Sequence, residues 1–149
     1  MSVVVEFNPE TYQTLFKDVL VEHPELLQNL KQDFIDYVES DGHKLPDYFG
    51  KDSPYMQPYV AAKVGLMHIH IAIPPVSFQR NRPQHARKCP QGDPAKDAAL
   101  VYVRGELYDN HYSLIALLHP GAHDEARKDK VMRYLIAVAE RFQERQYQS

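Results

Sequence analysis

A single cysteine, Cys89, leaves no second thiol for an internal disulfide and no companions for a multi-cysteine zinc module. No apolar run approaches the ~18–20 residues that a membrane span needs. The opening MSVVVEFNPE has no basic segment leading into an apolar one, so no secretory leader is expected. The chain also lacks a P-loop, a GxSxG elbow, a dinucleotide fingerprint and a His-Glu-x-x-His helix. Repeats, heptad arrays and low-complexity tracts are absent too. These absences predict a cytoplasmic protein with no membrane partner and no cofactor. What is present is ordinary for one globular domain over 1–149, with 44% hydrophobic and 25% charged residues.

The net charge of −3 hides an asymmetry. Residues 1–55 carry eleven acids against four Lys or Arg, whereas residues 56–149 carry nine acids against thirteen. Six of the eight histidines fall in the second part. The stretch 80–96 (RNRPQHARKCPQGDPAK) holds five cations and one acid, Asp93. Arg forks onto phosphate oxygens, so Arg80, Arg82, Arg87 and Lys88 are candidates to hold a polyanion. The loop over 74–98 that carries them is long for a compact domain, and such loops are more often functional than idle.

Val3, Val4 and Val5, ending at Phe7, predict a strand. Asn8 and Pro9 suit a helix start, and Tyr12, Leu15, Phe16, Val19 and Leu20 predict a helix over 9–21. Pro24 opens a second helix with a stripe of Leu27, Leu30, Phe34 and Val38, closed at Gly42. Residues 43–62 show no period and predict an irregular connection. Strands are expected within 63–73, over 99–108 and over 111–118, the last two joined by an Asp109–Asn110 turn. A final helix is expected from Asp124 to Arg145, with Val131, Leu135, Val138 and Phe142 inward. The order β-α-α-β-β-β-α predicts an α+β fold, an antiparallel sheet with helices packed on one face and the other face open. Residues 1–25 read as a strand–helix extension.

Alternation along a strand places His68 and His70 on one side and Met67, Ile69, Ile71 and Ile73 on the other. Tyr102, Arg104, Glu106 and Tyr108 share one side of the next strand. Were the polar rows neighbours, His68, His70, Tyr102 and Arg104 would meet on the open face. His123 stands at the start of the final helix, where free N–H groups favour anions, with Arg127 one turn on.

Two chemistries fit such a cluster. A His-x-His pair can ligate a metal with a third ligand from His85, His123 or Asp109. Alternatively, imidazoles act as acid and base near neutral pH while arginines stabilise charge at phosphorus, which cleaves a phosphodiester without metal. A catalytically silent interaction protein is a further reading.

The pieces DFIDYVESDG (33–42), LPDYFGKDSPY (45–55), MHIHI (67–71), ALVYVRGELY (99–108) and SLIALLHPGAH (113–123) resemble the YafO family of bacterial type II toxins. The resemblance covers roughly 26–145 and implies a RelE/ParE-like architecture. It also implies an mRNA endoribonuclease that works at the ribosome without metal, by attack of a 2′-hydroxyl on its own phosphate, held in check by a cognate antitoxin. A non-nuclease RelE/ParE-like toxin that blocks another target is the alternative within that likeness. His68 and His70 occupy the family's HIH segment, Tyr102 its LVY segment, and His123 with Arg127 its P-x-x-H segment and following Arg. The expected roles are His70 or His123 as base or acid and Arg104 as transition-state support. Arg80, Arg82, Arg87, Lys88 and Arg127 would contact RNA.

Overall fold

The computed structural model describes residues 2–148. The order is β1 (Val4–Phe7), α1 (Tyr12–Leu15), α2 (Lys17–Glu22), α3 (Pro24–Glu39), β2 (Phe49–Pro54), α4 (Tyr59–Val64), β3 (Leu66–Ile71), β4 (Ala99–Arg104), β5 (His111–Leu118), α5 (Ala122–Ala126) and α6 (Asp129–Arg145). Among the described residues the strands form one sheet in the order β1-β5-β4-β3-β2. The sheet is mixed rather than antiparallel, because β1 runs parallel to β5. The other pairs are antiparallel. The class is α+β.

Helices cover both faces, not one. Phe16, Leu20, Leu30 and Phe34 pack against Ile69, Ile71, Leu100 and Leu114 on the first face. Met132, Leu135, Val138 and Phe142 pack against Leu66, Val101, Val103 and Ile115 on the second. Each such side chain contributes about 1.5–3 kcal/mol by leaving water. Alternation misled here because the second face of β3 carries histidines, which read as solvent-facing.

Pro24 at the first turn and Glu25 beside it start α3. Its inward stripe is Leu26, Leu30, Phe34 and Tyr37, while Leu27 stays exposed. The helix ends with the Gly42 N–H bonded to the Tyr37 carbonyl at 2.8 Å and the Asp41 N–H to that of Val38 at 3.1 Å. The left-handed position that this closure demands is taken by Asp41 as well as Gly42.

Other boundaries also move. The helix over 9–21 breaks at Phe16 into α1 and α2. The irregular stretch 43–62 contains β2 and the start of α4. Gly50 in β2 is required: a Cβ there would sit 2.3 Å from the Arg87 carbonyl oxygen. β4 stops at Arg104, so Leu107 and Tyr108 belong to an exposed loop. The final helix is two helices with Arg127 and Lys128 between them. β1 and the chain after it belong to the sheet and core. Buried Asn8 donates through its side chain to Ser113 Oγ at 3.0 Å, and the Thr11 hydroxyl donates to the Ile115 carbonyl at 2.5 Å.

Candidate active site

β3 supplies two imidazoles to the second face, and the elements around it leave them room. His70 stands opposite Ala99 and His68 opposite Val101. α5 adds Ala122 and Ala126 above them. Small side chains here leave a cleft of about 190 Å³ lined by Tyr55, His68, His70, Asp97, His123 and Arg127, with four alanines. The ring centroids of His70 and His123 are 5.3 Å apart and those of His68 and His70 are 5.9 Å apart. Tyr55 lies flat on His68 at 3.9 Å.

Each ring is held differently. The Cys89 main-chain N–H donates to His70 Nδ1 at 2.8 Å. His123 Nδ1 lies 2.8 Å from Asp97 Oδ1, and the His123 main-chain N–H donates to Asp97 Oδ2 at 2.8 Å. The Asp97 side chain is 3% exposed. The anion expected at this helix start is therefore one the chain brings itself, and the Ala122 N–H is likewise taken by the Asp97 carbonyl. His68 Nδ1 is buried without a hydrogen-bond partner among the described residues.

Burial above all, then the charges of neighbouring imidazoles, push His68 and His70 down to about 4. Both rings are thus uncharged at neutral pH. Positive charge comes from elsewhere. Lys51 and Lys88 lie close enough to disfavour a charged His70. Arg127, exposed at the cleft edge, donates to the Gln91 side chain at 2.6 Å and faces Asp124 at 3.5 Å. Among the described residues no three His, Cys, Asp or Glu side chains are grouped to hold a metal ion.

The structure brings His68, His70, His123 and Arg127 together and sends Tyr102 and Arg104 elsewhere. Tyr102 pairs with Met67, not with a histidine, so it points to the first face. There it is buried, and its hydroxyl donates to Asp52 at 2.7 Å. Tyr37 donates to the same carboxylate at 2.7 Å. Burial, and then Asp52, raise Tyr102 well above the usual phenol range. Arg104 is at the far end of β4, ~17 Å from Ala99 at ~3.3 Å per residue. It is exposed, faces Asp109 at 3.6 Å and lies over the Tyr112 ring.

The basic loop divides as well. Arg87 is buried, with Nε donating to the Arg82 carbonyl and Nη2 to that of Arg80, both at 3.0 Å. Its guanidinium folds the loop instead of facing solvent. Arg80 is exposed and paired with Asp47 at 2.8 Å. Arg82 and Lys88 are exposed without an ion-pair partner among the described residues. Sequence reasoning missed Asp97, Tyr55, Lys51 and Gln91. A lone aspartate beside a strand gives no periodic signal, and only the closure of the loop onto α5 reveals its partner.

The fold and the cleft together define a small α+β protein whose converging groups offer acid–base chemistry beside cations. Residues 35–144 match the family described as Toxin YafO, type II toxin-antitoxin system. The chain belongs to that family. It is 33% identical over 124 residues to the mRNA interferase toxin YafO of Escherichia coli (strain K12), covering 81% of this chain and 88% of the relative. No solved structure matches it. Among the described residues no helix is long and apolar enough to cross a membrane.

Proposed function

We propose that this chain is a toxin that cuts messenger RNA at the ribosome, that the cut is made in the His68–His70–His123 cleft, and that a cognate antitoxin restrains it. The observation that carries the site is the convergence of three imidazoles from two separate segments in one cleft. The relative's activity as an mRNA interferase supports the substrate.

The chemistry follows from the groups present. A 2′-hydroxyl attacks the adjacent phosphorus when an imidazole removes its proton. Charge that builds on the phosphoryl oxygens is met by Arg127, Lys51 and Lys88 and by an N–H of an uncharged imidazole. The products are a 2′,3′-cyclic phosphate and a 5′-hydroxyl, and the step needs no metal. Arg82 and Lys88, exposed on the loop, extend a cationic path for the RNA backbone, with Arg80 and Arg127 at its edges. The antiparallel run β2–β5 closed by a helix supports the RelE/ParE-like reading of the architecture.

The test is cleavage of ribosome-bound message by the purified chain, with product ends mapped. A specific cut bearing those termini is expected. Intact message alongside arrested growth would favour a toxin that blocks another target.

A further inference from the structure

Of the three imidazoles, two have one ring nitrogen committed to a fixed partner, and those commitments are opposite in kind. A main-chain N–H only donates, so the Cys89 amide at 2.8 Å requires a lone pair on His70 Nδ1. The neutral His70 ring then carries its proton on Nε2. Asp97 does the reverse. Its carboxylate already accepts the His123 main-chain N–H on Oδ2, and its other oxygen lies 2.8 Å from the ring. An acceptor there places the proton on Nδ1 and leaves the lone pair of His123 on Nε2.

We propose that His123 is the base, that buried Asp97 is its positioning residue, and that His70 serves as an uncharged hydrogen-bond donor fixed by the Cys89 amide. This rests on the cleavage reading above and assigns its parts. His123 Nε2 takes the 2′-hydroxyl proton as the 2′-oxygen–phosphorus bond forms. The bond from phosphorus to the 5′-oxygen breaks, and that oxygen takes a proton from water. The hydroxide left behind receives the proton held by His123, which restores both. His70 Nε2–H bonds a phosphoryl oxygen throughout and gives up no proton. The 5.3 Å between the ring centroids puts both within reach of one nucleotide linkage.

The assignment has a signature separate from activity. The ring nitrogens of the ¹⁵N-labelled chain at neutral pH should show the proton of His123 on Nδ1 and that of His70 on Nε2. Asp97→Asn sharpens the test. Its amide oxygen must stay on the His123 main-chain N–H, so its NH₂ faces the ring, donates to Nδ1 and drives the ring proton to Nε2. Cleavage should then fall by about 100- to 10,000-fold in kcat, with KM for message within a few-fold. His70→Gln, which keeps an N–H near the Nε2 position, should retain measurable cleavage where His123→Gln does not. That pair decides the matter even if Asp97→Asn fails to fold. Cleavage by a wild-type chain whose ring protons are reversed would sink the division of labour alone. So would a folded Asp97→Asn chain with the His123 proton on Nε2 and undiminished kcat. The expected ring protons in a chain that leaves message intact would sink the cleavage reading, and the base with it.

Discussion

Two aspartates flank the same sheet, and their surroundings set them apart. Asp52 on β2 faces the first side and takes hydroxyl bonds from Tyr37 and Tyr102. Burial raises its carboxyl above the usual range, while the two hydroxyls work against that rise. Asp97 faces the second side and takes a ring nitrogen and a main-chain N–H beside an open cleft. Phenols that stay protonated at neutral pH can only fix the first carboxylate in place. The second carboxylate holds the imidazole that the proposed mechanism uses as base, so it can influence a reaction. In sequence both are acids in stretches read as irregular, Asp52 within 43–62 and Asp97 within the loop over 74–98. Partner chemistry and access to solvent make one a clamp and give the other its place in the proposed site.

The largest effect is expected on the cleft side. His123→Ala should lower cleavage of ribosome-bound message by about 100- to 10,000-fold, and should cost about 1–3 kcal/mol of stability by leaving Asp97 Oδ1 without its ring partner. On the clamp side, Phe34→Ala empties a fully buried position under Tyr102 and Tyr37 and should cost about 3–5 kcal/mol in urea unfolding. Cleavage per folded molecule should stay as it was. Tyr102→Phe removes one of the hydroxyls on Asp52 and should cost about 1–3 kcal/mol, again without a change in cleavage per folded molecule. A large loss of cleavage in a folded Tyr102→Phe chain would break the distinction between the two sides.

Acid should weaken the cleft side in particular. His68 and His70 titrate at about 4 when folded, below the ordinary 6.5. Between those values the unfolded chain binds protons that the folded chain does not. Stability therefore falls as pH drops from about 6.5 towards 4, by up to about 3 kcal/mol for each of the two rings. Urea midpoints across that range should show the slope, and His68→Gln should flatten it. The smallest effects belong to the periphery. Arg104→Ala should change stability by less than about 0.5 kcal/mol and leave cleavage alone. Lys88→Ala should reduce the salt dependence of RNA binding by about 0.7 in the logarithmic slope.

Much of the scaffold was legible because its signals are local. Period-two alternation in MHIHI separated His68 and His70 from Ile69 and Ile71, and the structure keeps that separation. Pro24 and the apolar positions near it marked α3, and β5 was read to its ends. The pairing of β3 with β4 was not legible. A long loop joins them, so no turn fixes their register, and one residue of slip moves Tyr102 to the opposite face. β2 was missed because Phe49–Pro54 holds Gly, Lys, Asp and Pro. It is an edge strand, formed by pairing with β3 rather than by its own propensity. Polarity was taken for exposure at His70, which is only 7% exposed, and at Arg87, which is 6% exposed. The convergence of His123 on β3 was anticipated, but its partner Asp97 was not, because loop closure is a tertiary event.

The most direct measurement incubates ribosomes carrying one message with the wild-type chain and with folded His123→Ala at equal concentration, and maps the 5′ ends that appear. Discrete 5′-hydroxyl ends from the wild type and none from the variant are expected. Equal cutting by both would contradict a reaction centred on the three imidazoles.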